Sequence, residues 1–245
     1  MKITFSKFTF VAIFTLALAF IFSCSEKCDG KKYDPKFQFC YNNSKVKEKC
    51  NGKEYNPDIK FCVGNDIMDK CGDSEYDPQT QFCDSRDNKT YKYVKIGNQI
   101  WMAENLACEV GDSKCYDNEP ENCKRYGRLY SFKEANIACP KGWSLPTQKD
   151  WDDLLIFVGT TKKLAAKSGW SKDGNGTDDY GFSILPSGYY DILKGFIEVG
   201  SNSILWSASM AGRWDNKIPL FFNMRDGRME TTWSSDLNSV RCIQK

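Results

Sequence analysis

The stretch YKYVKIGNQIWM at residues 91–102 predicts a β-hairpin at the start of the C-terminal part of the chain. Aromatic or aliphatic and charged side chains alternate over residues 91–96, which is typical of a half-buried strand. Gly97 and Asn98 form a hairpin-type turn, and residues 99–102 continue as a second strand. A sheet is therefore expected to begin here.

A helix is predicted downstream of this hairpin, at residues 146–155. Thr147 is placed to cap the helix, and Asp150 stands at the reciprocal capping position. Three apolar side chains then share one helical face: Trp151, Leu154 and Leu155.

The remaining patterns favour an α+β fold for residues 90–245. A short helix is expected over residues 130–138. After Gly159 the chain is rich in Gly, Asn, Asp and aromatic residues. Helices followed by loops and short strands are typical of the α+β class. The expected strands are at residues 205–208, 220–224 and 239–243.

The composition excludes several classes of function. The 245 residues include 12 Cys and no His, which excludes His-based catalysis, His-ligated zinc and His-ligated haem. Lys and Arg number 34 against 32 Asp and Glu, and Lys2 and Lys7 account for the whole excess. No basic field is left to attract nucleic acid. The 41% apolar content is enough for a packed core.

Residues 1–23 are typical of a bacterial lipoprotein signal peptide. Two lysines precede an apolar run over residues 8–22, which is too short to span a bilayer comfortably. The run ends in IFSC at residues 21–24, which resembles the lipobox. We therefore expect lipidation at Cys24 and attachment to the outer membrane or cell surface through that lipid. Ordinary signal cleavage nearby is the alternative.

Residues 24–89 contain three copies of one cysteine unit. The copies are CDGKKYDPKFQFC at residues 28–40, CNGKEYNPDIKFC at residues 50–62 and CGDSEYDPQTQFC at residues 71–83. Each copy has eleven residues between its two Cys, and a turn-forming Asp-Pro or Asn-Pro lies between a Tyr and a Phe. A repeat this regular indicates three copies of one structural unit.

One disulfide is expected in each unit. Such a bond closes a short loop and stabilises it by roughly 3 kcal/mol, because it reduces the entropy of the unfolded chain. The Tyr and Phe of a unit would then meet across a short hairpin. The expected pairs are Cys28–Cys40, Cys50–Cys62 and Cys71–Cys83. The rival pairings join neighbouring units: Cys40–Cys50 and Cys62–Cys71.

The array of units is interpreted as a stalk that holds the C-terminal domain away from the membrane. The polar residues 84–89 are expected to form a linker behind it. The alternative is a tandem binding surface, formed by the Tyr of each unit: Tyr33, Tyr55 and Tyr76.

Several motifs in order make residues 90–245 similar to a known family. They include IGNQIWMAENL at 96–106, CPKGWSLP at 139–146, DDYGFS at 178–183 and SVRCIQ at 239–244. This sequence resembles the Fibrobacter succinogenes major paralogous domain, a module of secreted and lipid-anchored proteins with no established activity. The resemblance implies a C-type-lectin-like fold, similar to that of the sulfatase-modifying group.

The resemblance also implies the state of the remaining cysteines. Cys139–Cys242 would form a long clasp as in C-type-lectin-like domains, contributing roughly 4.7 kcal/mol. Cys115–Cys123 would staple a loop. Cys108 would be left as an unpaired thiol or would compete for Cys115.

Five aromatic residues are the candidates for ligand binding, because exposed rings stack on the faces of sugars. They occur among polar residues or in an expected loop: Trp170, Tyr189, Tyr190, Trp214 and Trp233. Packing under loops is the alternative for each. The other four Trp are expected in the core: Trp101, Trp143, Trp151 and Trp206.

No metal and no cofactor is expected. Residues 173–179 carry the oxygen donors of half a calcium loop, but no Glu follows where such a loop needs one. A Gly-rich turn is the favoured interpretation.

We therefore expect a non-catalytic, lipid-anchored surface protein that binds polysaccharide or another envelope glycan. The first alternative is a structural lipoprotein that binds other proteins. The second is a degenerate oxidoreductase of the sulfatase-modifying type that uses Cys108. A lone thiol with no His to activate it is a poor nucleophile, which disfavours the second.

Overall fold

The computed structural model describes residues 27–212 and 217–245. The expected signal peptide, the expected lipidation site Cys24 and the candidate Trp214 lie outside the described residues. Strands dominate, and the described chain has three α-helices, as is compatible with an α+β fold: α1 (Pro120–Tyr126), α2 (Phe132–Ala138) and α3 (Gln148–Val158). None of the helices in these ranges is long and apolar enough to cross a membrane.

The first two cysteine units and the segments that follow them form short two-stranded hairpins. β1 (Lys27–Cys28) pairs with β2 (Lys31–Lys32), β3 (Gln38–Tyr41) with β4 (Lys45–Glu48), and β5 (Lys60–Val63) with β6 (Asp66–Asp69). Each unit holds its own disulfide, as expected: Cys28–Cys40, Cys50–Cys62 and Cys71–Cys83.

The aromatic contacts of the units run between units. Phe39 meets Tyr55 of the second unit with ring centroids 5.7 Å apart, and Phe61 meets Tyr76 of the third at 5.5 Å. The expectation that Tyr and Phe of one unit meet is therefore wrong for these pairs. The reason is that each strand that carries a Phe pairs with the strand that follows its unit, β3 with β4 and β5 with β6. The chain then continues into the next unit, whose Tyr comes to lie beside that Phe.

The third unit joins the sheet of the C-terminal domain. β7 (Gln81–Asp84) pairs with β8 (Lys89–Ile96), which pairs with β9 (Gln99–Met102). Asp84 and Lys89 are thus paired strand residues with a turn at residues 85–88 between them, and the expectation of a linker over residues 84–89 is wrong. Their polar side chains bond within the protein: Arg86 donates to the buried Asp84 carboxylate at 2.6 Å and to the Ala138 carbonyl at 2.7 Å.

Two five-stranded sheets build the C-terminal domain. The remaining strands are β10 (Leu129–Tyr130), β11 (Trp143–Ser144), β12 (Ser187–Asp191), β13 (Gly195–Val199), β14 (Ile204–Ala211), β15 (Ile218–Asn223), β16 (Arg228–Thr231), β17 (Asn238–Ser239) and β18 (Ile243–Gln244). One sheet has the order β11-β18-β9-β8-β7, so the last strand lies beside the first hairpin of the domain. The other sheet has the order β10-β17-β14-β15-β16, and β12 pairs with β13 separately.

Most expected elements are present. The hairpin at residues 91–102 is β8 and β9, and α3 has the capping box of Thr147 and Asp150. The helix expected at residues 130–138 is α2, and it begins only at Phe132, because Ser131 caps it and forms a second capping box with Glu134. The expected single strand at residues 239–243 is wrong, since only Ser239 and Ile243 lie in strands, at the end of β17 and the start of β18. Helix α1 and the β12–β13 hairpin were not expected.

The core is built around large aromatic side chains. Trp101, Trp151 and Trp206 are fully buried, as expected, and Trp151 stacks on Phe222 at 4.5 Å between ring centroids. Trp143 is only half-buried, because it packs where the third unit joins the domain. Two disulfides complete the domain as the resemblance implied: Cys139–Cys242 and Cys115–Cys123.

A buried arginine joins three separate segments of this domain. Arg241 donates to Asn105 Oδ1 through Nε at 3.1 Å and through Nη2 at 2.9 Å, and its Nη1 donates to the Phe182 carbonyl. Its guanidinium also lies 4.6 Å from the Phe182 ring centroid. Burial lowers the pKa of Arg241 to about 9. Asn105 in turn donates to the Tyr126 carbonyl at 3.0 Å.

Trypsin should cleave slowly after Arg86 in the native protein, because the guanidinium is bonded and the segment is a hairpin turn. Phe82 stacks on Trp143 at 4.4 Å and on Tyr91 at 5.7 Å. Phe82→Ala should weaken this junction by about 2 kcal/mol and speed cleavage there by about tenfold or more. Phe37→Ala, at an exposed ring of the first unit, is the control and should change nothing. Rapid cleavage after Arg86 in the unmutated protein would contradict the junction. Timed mass spectrometry measures both rates.

Candidate functional site

A polar cleft lies between the β12–β13 hairpin and the sheet of β14, β15 and β16. Its volume is about 200 Å³. Three carboxylates and one guanidinium line it, so its charge is negative: Asp191, Glu198, Glu230 and Arg225. Tyr189, Asn202, Asn223, Thr231, Thr232 and Asn238 add amides and hydroxyls.

Asn238 is the unusual member of this cleft. Only 1% of its surface is exposed, and neither its Nδ2 nor its Oδ1 has a hydrogen-bond partner in the described protein. A buried amide left without partners costs about 1–3 kcal/mol. The next residue, Ser239, behaves differently, since its hydroxyl bonds to Ser187 at 3.0 Å. The Asn238 amide is therefore an unsatisfied polar group in the lining of the cleft.

Several other polar side chains of the cleft are bonded to one another. Glu198 accepts from Asn202 at 2.9 Å and pairs with Arg225 at 3.2 Å, while Asn223 donates to Glu230 at 3.2 Å. The backbone of Glu198 has a φ of 63°, which is uncommon for a residue with a side chain and is often found at functional sites. The wall of the cleft is consequently preorganised.

A wider groove adjoins the polar cleft and shares Asp191, Thr231 and Thr232 with it. Its volume is about 580 Å³. Trp233 lies in this groove with 71% of its surface exposed. The apolar side chains beside it are Met210, Ile218 and Pro219. One open indole face thus stands next to a row of hydrogen-bonding groups.

The two adjacent tyrosines lie in strand β12, and their placement in a loop is wrong. Successive side chains of a strand face opposite sides. Tyr189 therefore faces the polar cleft, where burial and then Glu198 raise its pKa. Tyr190 packs against Phe196 with ring centroids 4.9 Å apart. Only one of the pair is brought to the site.

Trp170 is separate from this site and is half-buried. Its Nε1 donates to the Ile184 carbonyl at 3.0 Å, and its ring packs on the core cluster that contains Trp151 and Ile184. The nearby residues 173–179 form a turn whose polar groups bond locally: Asn175 accepts from the Trp170 amide at 3.1 Å, and Asp178 from the Ser183 amide at 2.7 Å. Among the described candidates, Tyr189 and Trp233 alone border the cleft and groove.

The sequence did not predict the role of Asn238 or of the carboxylates around it. These residues come from the β12–β13 hairpin and from β16 and β17, which are distant from that hairpin in sequence. The local sequence carries only a weak signal, since Asn238 and Ser239 are polar residues between Leu237 and Val240. The lack of a partner for Asn238 depends on the surrounding strands and could not be read from that signal.

The family model of the Fibrobacter succinogenes major domain matches residues 94–244, more than half of the chain. The chain belongs to this family. No curated protein and no solved structure matches it. The cleft and the Trp233 groove both fall within the Fibrobacter succinogenes major domain, whereas the three cysteine units precede it.

The free thiol of this major domain is buried. Burial raises the pKa of Cys108, and the nearby Arg86 opposes this shift. The other ten described cysteines form disulfides, so no second reduced Cys stands beside it in this part of the chain. These features do not favour the thiol chemistry of a sulfatase-modifying oxidase.

Cys108 also belongs to the one group of metal-ligand types that converges among the described residues. Its sulfur and the carboxylates of Asp84 and Asp87 lie within 4.8 Å of one another. Arg86 already neutralises Asp84 through bonds to both carboxylate oxygens. Tyr91 donates to Asp87 at 3.0 Å. Contacts within the protein therefore account for the closeness of these three side chains.

Alkylation of Cys108 by iodoacetamide should be at least about tenfold slower in the native protein than in the unfolded one. The raised pKa keeps the thiol protonated, so the native rate should go on rising to a higher pH than the rate of an ordinary thiol, whose pKa is about 8.5. Mass spectrometry of the Cys108 peptide under non-reducing conditions measures this rate. Equal native and unfolded rates at pH 8 would contradict the burial of the thiol.

Proposed function

We propose that this protein is a lipid-anchored, non-catalytic surface module that binds a neutral polysaccharide in the polar cleft and the Trp233 groove. The observation that carries the proposal is the buried, unpartnered side-chain amide of Asn238 in the lining of a polar cleft. An amide supplies two donors and one acceptor, and a sugar hydroxyl is both donor and acceptor.

The charges of the cleft favour a neutral ligand. Asp191, Glu198 and Glu230 are acceptors for hydroxyl groups, whereas a uronate or phosphate would be repelled by their negative charge. Among the described residues two cations oppose them: Arg225 is paired with Glu198, and Lys194 lies 3.9 Å from Asp191. A polyhydroxyl ligand matches this set of donors and acceptors.

Trp233 supplies the apolar half of the proposed site. An indole face packs against the C–H face of a pyranose ring while the hydroxyls at the ring edge remain free to bond. Because the groove and the cleft share three residues, a chain of sugar units lying in both would contact Trp233 and Asn238 in succession.

The proposed fold type is C-type-lectin-like. Two features support it: β18 pairs with β9 near the start of the domain, and Cys139–Cys242 clasps the end of α2 to the last segment. Sugar binding in this proposal does not depend on calcium, since no group of metal ligands converges at the cleft within the described residues.

Trp233→Ala and Asn238→Leu should each reduce retention of the oxidised protein on at least one insoluble glycan by about tenfold. Cellulose, xylan and peptidoglycan are the matrices. Asn238→Leu should leave the free energy of unfolding unchanged or raise it, because it removes an unpartnered amide. Depletion from solution measures retention, and urea denaturation measures stability.

Phe157→Ala is the matched control, because Phe157 is an exposed aromatic residue on α3 that lines neither the cleft nor the groove. This variant should be retained like the unmutated protein. Equal retention of all three variants would contradict the proposed site, and no retention of the unmutated protein on any matrix would contradict glycan binding.

A protein partner is the second candidate function, and one observation favours it. Ile192 and Leu193 stand at the tip of the β12–β13 hairpin with 47% and 85% of their surfaces exposed. Exposed apolar side chains of this kind are typical of contacts with other proteins when they form a patch. An assembly lipoprotein would use this tip, and Leu193→Ser would weaken it without affecting retention on glycans.

Anchoring through Cys24 forms the last element of the proposal, and the apolar run ending in IFSC supports it. Cys24→Ser should abolish incorporation of labelled palmitate and release the protein from the membrane fraction. Cys108→Ser, which removes the free thiol of the described residues, is the control and should still be labelled. Labelling of the Cys24→Ser variant would contradict lipidation at this residue.

A further inference from the structure

A second cavity, separate from the polar cleft, carries the opposite charge. Its volume is about 330 Å³, within the range of about 300–1,000 Å³ that small-molecule sites occupy. It lies between the start of β8, the end of α1 and residues 181–185. Five cationic side chains and one carboxylate line it: Lys89, Lys92, Lys124, Arg125, Arg241 and Glu104.

The innermost of these cations is Arg241, of which 1% is exposed. Its guanidinium has five N–H donors, and three bonds to protein groups are present, two to Asn105 and one to Phe182. Two N–H groups therefore remain for another acceptor. The contacts to Asn105 and to the Phe182 ring fix the plane of the guanidinium, so no side-chain entropy is lost when an acceptor binds.

No carboxylate of the described residues is in direct contact with Arg241, although Glu104 and Asp178 lie near enough to favour its charged form. It takes part in no ion pair within residues 27–212 and 217–245, and its three bonds go to neutral oxygens. A buried charge is costly unless it is paired. An anion that reaches the guanidinium would remove that cost.

The wall of the cavity adds further positive charge. Lys92 and Arg125 are exposed, and neither is in an ion pair within the described ranges. Lys89 lies over the Tyr91 ring at 5.1 Å, and Lys124 is paired with Glu121 at 2.6 Å. With Glu104 as the only carboxylate of the lining, the cavity keeps a positive excess even when Lys124 is discounted.

We propose that this cavity is an oxyanion site, in which Arg241 binds a carboxylate or phosphate group of an acidic saccharide while Lys92 and Arg125 hold it at the entrance. Guanidinium groups bind both oxyanions through parallel N–H donors. The site would let one domain hold an acidic sugar unit here and a neutral chain at Asn238. It does not depend on the polar cleft.

Isothermal titration of the oxidised protein with glucuronate, inorganic phosphate and glucose tests this proposal. At least one of the two anions should bind saturably, and glucose should not bind at this site. Binding of glucuronate alone identifies a carboxylate ligand, and binding of phosphate alone identifies a phosphate ester. Absence of saturable binding for both anions would overturn the proposal.

Variants locate the bound anion. Lys92→Ala and Arg125→Ala should each weaken anion binding by about fivefold to tenfold, because each removes one cation at the entrance. Lys133→Ala, an exposed lysine of α2 outside the cavity, should leave it unchanged. Equal weakening by all three would show nonspecific attraction and overturn the site. Trp233→Ala should not affect anion binding, so that failure of the polysaccharide site and failure of this cavity are distinguishable.

Discussion

The guanidinium of Arg241 binds Asn105 and Phe182 from a fully buried position, and the C-terminal domain is arranged around these contacts. They connect the first motif, the middle loop and the last segment of the domain. Asn105 extends the connection to the end of α1 through the Tyr126 carbonyl. Removing the guanidinium would leave these buried acceptors unpaired, which costs more than the loss of an average hydrogen bond. The adjacent Cys242 then fixes the same segment covalently to Cys139.

The three cysteine units are short, and each buries little apolar surface alone, so the disulfides substitute for a core. What orders the array is the contact of a Phe with the Tyr of the next unit. The third unit has no further unit to contact, and Phe82 packs on Tyr91 and Trp143 of the domain instead. The array is therefore continuous with the domain, and a hairpin rather than a flexible segment joins them.

Two concave features of opposite charge lie on this one domain. The polar cleft has more carboxylates than cations and contains an unpartnered amide, which suits hydroxyl groups. The cavity at Arg241 has more cations than carboxylates, which suits an oxyanion. Because the net charge of the whole chain is only +2, neither property is visible in the composition. The opposite charges of the cleft and the cavity arise from which side chains the fold places in each lining.

The sequence by itself determined the local features. The hairpin at residues 91–102, the capping of α3, the repeat of the cysteine units and the membership of the family all follow from residues close together or from ordered motifs, whereas the structure decided between pairing within and between the units. Only the tertiary structure decided which Phe meets which Tyr, that residues 84–89 belong to a hairpin, that Tyr189 and Tyr190 face opposite sides, and that Asn238 is buried without a partner. These depend on contacts between segments distant in sequence, and neither propensity nor periodicity contains that information.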